Sequence, residues 1–134
     1  MKYVQEITRD EIRNLINQDI NDVTGYSSME FDSLEQAIEA SVEAIYEKAN
    51  DFEVLTQEMI DEQIEQYDGY LDGAKVGDLV WGDSEMWVSQ SVVDSWYYQE
   101  ESDSNGKHLD VSDIESLVCD YLILDRLDSY NKNT

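Results

Sequence analysis

The sequence predicts a mainly α protein, a compact single domain of about five helices. Three observations carry that reading. Proline is absent from all 134 residues, apolar side chains recur at helical spacing through most of the chain, and three S/T-x-x-E/Q capping boxes each open such a pattern.

The first helix is expected over 8–22. The box from Thr8 to Glu11 precedes Ile12, Leu15, Ile16 and Ile20, which fall on one face. A second helix is expected over 33–49, where Ser33 and Gln36 form the box and Leu34, Ile38, Ser41, Val42, Ile45 and Ala49 make the buried stripe. A third, over 56–68, rests on Ile60, Ile64 and Tyr67. Residues 69–83 hold four of the six glycines, Gly69, Gly73, Gly77 and Gly82, around short apolar pieces, and read as an irregular insertion. From 84 to 100 the spacing of Trp87 or Val88, Val92, Val93, Trp96 and Tyr97 favours a helix, although the β-branched and aromatic content would also suit a strand. A lone strand would need a partner that the chain hardly offers. The last helix, 112–129, follows the box from Ser112 to Glu115 and carries Ile114, Leu117, Val118, Tyr121, Leu122 and Leu127. No repeat or boundary divides the chain, so residues 1–134 read as one acidic helical domain.

The charge sets the functional question. Thirty-two carboxylates stand against eight basic side chains, a formal net charge of -24. Disordered acidic chains are poor in aromatic and β-branched residues, whereas this one is 41% apolar with nine tyrosines and three tryptophans, material for a core. The single cysteine, Cys119, excludes an internal disulfide and sits among Leu117, Val118, Tyr121 and Leu122 as a buried thiol would. With no secretory leader and no apolar run long enough to span a bilayer, the expectation is a soluble cytoplasmic protein, in the host cytoplasm if phage-encoded. Anionic membrane surfaces would repel it.

The arrangement of the acids says more than their number. Glu35, Glu39, Glu43 and Glu47 stand four apart on the second helix, a row with a spacing of roughly 6 Å along the axis. Like charges at i and i+4 repel, and no lysine or arginine interrupts the row within the helix. Glu58, Asp61, Glu65 and Asp68 repeat the device on the third. From Asn14 to Ala74 there are sixteen acids and only Lys48, and from Val76 to Gly106 seven acids and no base. Duplex DNA carries one charge per about 1.7 Å of axis, so this net charge equals that of roughly 40 Å of duplex, or about twelve base pairs. Acid coats also solvate halophilic proteins, but the Asn, Ile and Tyr content does not favour that origin.

Catalysis finds no foothold in the motifs. His108 is the only histidine, and with one cysteine it cannot build a His/Cys zinc site or a nucleophilic triad of ordinary geometry. No Walker loop, dinucleotide-binding glycine signature or nucleophile elbow is present, and thirty-two carboxyls place some pair at glycosidase distance by number alone. The chain therefore reads as a non-enzyme without cofactor. A calcium loop is the weaker alternative: Glu101, Asp103, Asn105 and Gly106 fit positions 1, 3, 5 and 6 of an EF-hand, but His108 and Ser112 fill positions 8 and 12, where an aliphatic residue and a bidentate Glu belong. Trp96, Tyr97 and Tyr98 read first as core filling, and the same residues would suit an interface anchor or a homodimer seam.

Asp32-Ser33-Leu34-Glu35-Gln36-Ala37-Ile38, continuing to Glu43 and to Asp51-Phe52-Glu53-Val54, resembles the matching stretch of the Ocr-like antirestriction proteins of phages, which mimic bent B-form DNA. The resemblance covers about twenty-five residues, and the acidic tail of that family has no counterpart in Ser129-Tyr130-Asn131-Lys132-Asn133-Thr134. Anti-CRISPR and other mobile-element mimics share the same physics. The resemblance implies stoichiometric inhibition: carboxylates on stiff helices occupy the basic DNA groove of a restriction enzyme, CRISPR effector or similar host protein, with no direct binding to nucleic acid. Glu35, Glu39, Glu43, Glu47, Glu58, Asp61, Glu65 and Asp68 would form that surface, and replacing Glu39 and Glu43 by Gln should leave the fold as stable or more so. An acidic adaptor for basic segments is the other binding class open to the sequence.

Overall fold

The computed structural model describes residues 5–18, 23–25, 29–63, 69–83, 86–104 and 109–132. In chain order these form α1 (Arg9–Gln18), β1 (Val23–Gly25), α2 (Leu34–Ala49), β2 (Phe52–Val54), α3 (Gln57–Gln63), β3 (Leu79–Asp83), β4 (Met86–Val88), α4 (Gln90–Ser104), β5 (Leu109–Asp110) and α5 (Val111–Lys132). The protein is mainly α, with a small three-stranded sheet beside the helices.

α5 is the central helix. It packs against α1, α2, α4 and β3, and its sequence explains why. Val111, Ile114, Val118 and Leu122 form one buried row and Cys119, Ile123 and Leu127 a second beside it, so the apolar surface is too wide for one neighbour to cover. Ile12 and Ile16 of α1, Ile38, Val42 and Ile45 of α2, Leu79 and Trp81 of β3, Val88 and Val93 close around it. α2 buries the six positions 37, 38, 41, 42, 45 and 49, which leaves its acids nowhere to point but outward.

The helix starts follow the boxes in two of three cases. The Thr8 hydroxyl accepts from Glu11 N at 3.1 Å and the Ser33 hydroxyl from Gln36 N at 3.2 Å. α5 instead begins at Val111, so Ser112 lies inside the helix rather than ahead of it. Thr56 caps α3 by accepting from Met59 N at 3.2 Å. The expected extensions 19–22 and 64–68 lie outside the described residues.

The middle of the chain differs from the sequence expectation. Residues 69–78 are turns, but 79–83 is a strand, and the expected helix over 84–100 divides into β4 and α4. The strand partner that seemed missing is supplied from both sides. β2 pairs antiparallel with β3, placing Phe52 opposite Trp81 and Val54 opposite Leu79, and β4 pairs antiparallel on the other side, placing Val88 opposite Trp81. Leu79, Val80, Trp81 and Gly82 are all buried, so the run shows no alternation that would mark it as a strand. Gly82 is required there, because a Cβ would collide with the Asp51 carboxylate and the Trp87 ring. A second, two-stranded sheet joins β1 and β5 in parallel.

Side-chain amides complete the backbone where strands end. Gln63, only 6% exposed, accepts from Trp87 N and donates to Trp87 O at 2.8 Å, closing the outer edge of β4 as one more rung would. Asn50 does the same for Ile7, accepting from its N at 2.9 Å and donating to its O at 3.0 Å. Asn131 accepts from Leu79 N at 2.8 Å and donates to Gln90 Oε1 at 2.9 Å.

Candidate acidic interface

Among the residues whose side chains are described, the buried polar residues are Ser41, Gln63, Ser89 and Arg126, and every Asp and Glu is exposed or partly so. Glu35, Glu39, Glu43 and Glu47 are all exposed on the outer face of α2, where the helical spacing puts them. Glu58 and Asp61 are exposed on α3, and Asp61 accepts from Gln57 Nε2 at 3.0 Å. Glu65 and Asp68 lie outside the described residues.

The row on α2 is not uninterrupted, because α1 lies beside it and lends two arginines. Arg13 grips Glu39 with both arms of its fork, Nε to Oε1 at 2.8 Å and Nη2 to Oε2 at 2.9 Å, while its Nη1 reaches Asp10 at 3.0 Å. Arg9 Nε donates to Glu43 Oε1 at 2.7 Å, and its guanidinium stacks 4.0 Å from the centre of the Tyr46 ring. Tyr46 in turn donates to Glu6 Oε1 at 2.6 Å. Hydrogen bonding to Arg13 lowers the Glu39 carboxyl from its ordinary value and raises the Arg13 guanidinium, while the bond to Glu43 raises that of Arg9. The bond to Glu6 raises the Tyr46 phenol. The middle of the row is therefore neutralised, and among the described residues no ion pair reaches Glu35 or Glu47 at its ends. The signal was present in the sequence: arginines four apart on one helix match glutamates four apart on another, running antiparallel.

A second acidic feature joins α4 to α5. Asp120 hydrogen-bonds to Glu100 across the seam, and burial first, then the bond and charge of Glu100, push its carboxyl up to about 8, with Asp83 adding and Lys48 opposing. Glu100 Oε2 is a buried oxygen with no hydrogen-bond partner among the described residues. Cys119 is buried as expected, and burial pushes its thiol up to about 12, beyond the range of a reactive thiolate.

The loop of the calcium alternative lies largely outside the described residues. α4 stays helical through Ser104, so Glu101 and Asp103 lie on its last turn. Asn105 lies outside the described residues, as does His108, and among the described residues no group of three metal-ligating side chains converges. A cleft of about 300 Å³ between the 73–78 turns and the start of α4 is lined by Asp78, Ser89, Gln90, Ser91, Asp94 and Asn131. Its Ser89 hydroxyl is committed to Asp72 O at 2.7 Å. Trp96 is half-buried with its ring edge against Tyr70, 6.3 Å between centres, whereas Tyr98 and Tyr121 are exposed at 71% and 44%. No helix among the described residues is long and apolar enough to cross a membrane.

No protein-family model, no curated protein and no solved structure matches the chain.

Proposed function

We propose that this protein is a DNA mimic, an acidic inhibitor that occupies the DNA-binding groove of a host nucleic-acid-binding protein such as a restriction enzyme or CRISPR effector. The observation that carries the reading is the outward row on α2, four carboxylates spaced a turn apart on a helix whose other face is locked into the core. Rigidity matters because a groove that accepts phosphates at fixed spacing gains little from acids that must first be ordered. The mimic surface is built on Glu35, Glu39, Glu43 and Glu47 of α2, with Glu58 and Asp61 of α3; Glu65 and Asp68, the other acids the sequence offers for it, lie outside the described residues. Glu39 and Glu43 contribute through ion pairs that a basic partner would have to share or displace, so Glu35 and Glu47 carry the uncompensated charge.

The test is displacement of a fluorescent 20-base-pair duplex from purified type I restriction enzymes and RNA-guided nucleases. Stoichiometric release is expected at 50 mM salt, fading steeply by 200 mM, with no binding of the duplex by the protein itself. Failure to displace DNA from any member of such a panel at low salt sinks the proposal. The neutralised centre of the α2 row favours a second reading, an acidic adaptor that binds basic segments with little demand on geometry. An adaptor would bind a basic peptide and release it to any polyanion, whereas a mimic yields only to duplex of sufficient length.

A further inference from the structure

The chain contains its own example of how it holds an arginine. On α2, Glu43 and Tyr46 stand three residues apart, and between them they seat Arg9, the carboxylate on Nε and the ring under the guanidinium. Helical side chains lean toward the N-terminus, so an aromatic three or four residues after an acid lies over the turn that carries it. α4 repeats the spacing with Asp94 followed by Tyr97 and Tyr98. Here the face looks outward. Tyr98 is 71% exposed and Asp94 is exposed, while Tyr97 tilts against Tyr121 of α5 at 5.9 Å, which extends the aromatic surface across the seam. Asp125, one turn beyond Tyr121, is exposed but already paired with Arg126 Nη1 at 2.8 Å, which leaves Asp94 as the acid of this face.

We propose that Asp94, Tyr98 and Tyr121 form an arginine-docking face for a basic partner protein. Charge complementarity selects that occupant. α4 contains no lysine or arginine, and the stretch from Val76 to Gly106 holds seven acids and no base, so a second copy of this chain would bring like charge to the face. An arginine brings both halves of what the face offers, a planar cation for the rings and a fork for the carboxylate. A lysine reproduces the charge but not the stacking geometry. The inference rests on the reading of this protein as one that grips a basic partner, and not on that partner's being a DNA-binding protein.

The experiment compares decaarginine with decalysine, equal in charge, by isothermal titration at 150 mM salt. The wild-type protein is expected to prefer decaarginine, and Tyr98→Ala with Tyr121→Ala is expected to cut the ratio of the two affinities by about threefold or more, the scale of exposed cation–π contacts. Tyr98→Phe with Tyr121→Phe should keep the ratio, since the rings remain. Asp94→Asn should weaken decaarginine more than decalysine. An unchanged ratio in the alanine pair, with melting temperature intact, overturns the proposal, as does a wild-type protein that does not distinguish the peptides. Loss of DNA displacement in Glu35→Gln with Glu47→Gln, measured alongside, reads the α2 row alone, so a failure of the mimic reading is distinguishable from a failure of this one.

Discussion

Arg13 and Glu39 form a two-armed ion pair between α1 and α2, at 2.8 and 2.9 Å, and this pair reverses an expectation drawn from the sequence. Read within α2, Glu39 is one of four repelling charges; read across the helix pair, it holds α1 in place. Glu39→Gln and Glu43→Gln should therefore lower the melting temperature, by about 1–3 °C each, the range of exposed ion pairs. Glu35→Gln and Glu47→Gln should leave it unchanged or raise it, because they relieve repulsion. Thermal unfolding followed by circular dichroism decides this, and 1 M salt should erase the difference between the two sets.

Asp120 gives the protein a pH dependence of unusual sign. Its carboxyl is raised in the folded state from an ordinary value of 3.8 to about 8, so between about pH 4 and pH 8 the folded protein holds a proton that the unfolded chain releases. Stability from this group is complete below pH 4 and is lost as pH rises through about 8. A melting temperature that falls between pH 5.5 and 8.5 in the wild-type protein, and does not in Asp120→Asn, reports this group. Asp120→Asn should flatten the curve and raise the melting temperature at pH 8.5, because a neutral amide can face Glu100 at any pH.

Arg126 ties the start of the chain to the end. Only 7% exposed, it donates to Gln5 O at 2.8 Å, to Glu6 O at 3.4 Å and to the Glu11 carboxylate, with Asp125 at 2.8 Å. Replacement by Met removes every one of these donors from the Gln5 and Glu6 carbonyls and from the Glu11 carboxylate. The expected cost is about 2–4 kcal/mol, less than a wholly buried pair because Glu11 is one-third exposed. Urea unfolding measures the loss, and limited proteolysis should cut first within residues 5–11.

Gln63 closes the edge of β4 with an amide that both accepts and donates, which an ionised carboxylate of the same shape cannot do. Gln63→Glu keeps the acceptor for Trp87 N but turns an oxygen toward Trp87 O. It should cost about 1–3 kcal/mol at neutral pH and recover part of that near pH 4, where the acid can donate. Gln63→Leu should cost a similar amount at both pH values. Urea midpoints at the two pH values separate these outcomes.

Helices were legible in the sequence where one face alone is apolar, as in α1 and α2, since a 3.6-residue period needs a contrast between faces. The small sheet was not, for the opposite reason. Leu79 to Gly82 is covered on both sides and shows no contrast, and its partners Phe52–Val54 and Met86–Val88 are three-residue pieces too short to show a period of two. The acids of α2 were placed on the correct face, because the buried set left them only one. Their neutralisation by Arg9 and Arg13 depends on which helix lies alongside, and no pattern within one helix states that. The side-chain rungs of Asn50, Gln63 and Asn131 belong to the same class, each joining residues more than twenty positions apart.

The ladder between α1 and α2 also has a degeneracy. Two arginines four apart against four glutamates four apart would find equally good partners if α1 slid by a full turn, Arg9 meeting Glu47 or Glu39 in place of Glu43. Electrostatics thus fastens these helices without saying where. What fixes the alignment lies elsewhere: the Asn50 amide clasping the Ile7 backbone, the Tyr46 ring beneath Arg9, and Ile12 and Ile16 seated among core neighbours. Tyr46→Ser would leave every carboxylate in place and remove one of these constraints, with the buried isoleucines and the Asn50 clasp still holding α1 in its setting.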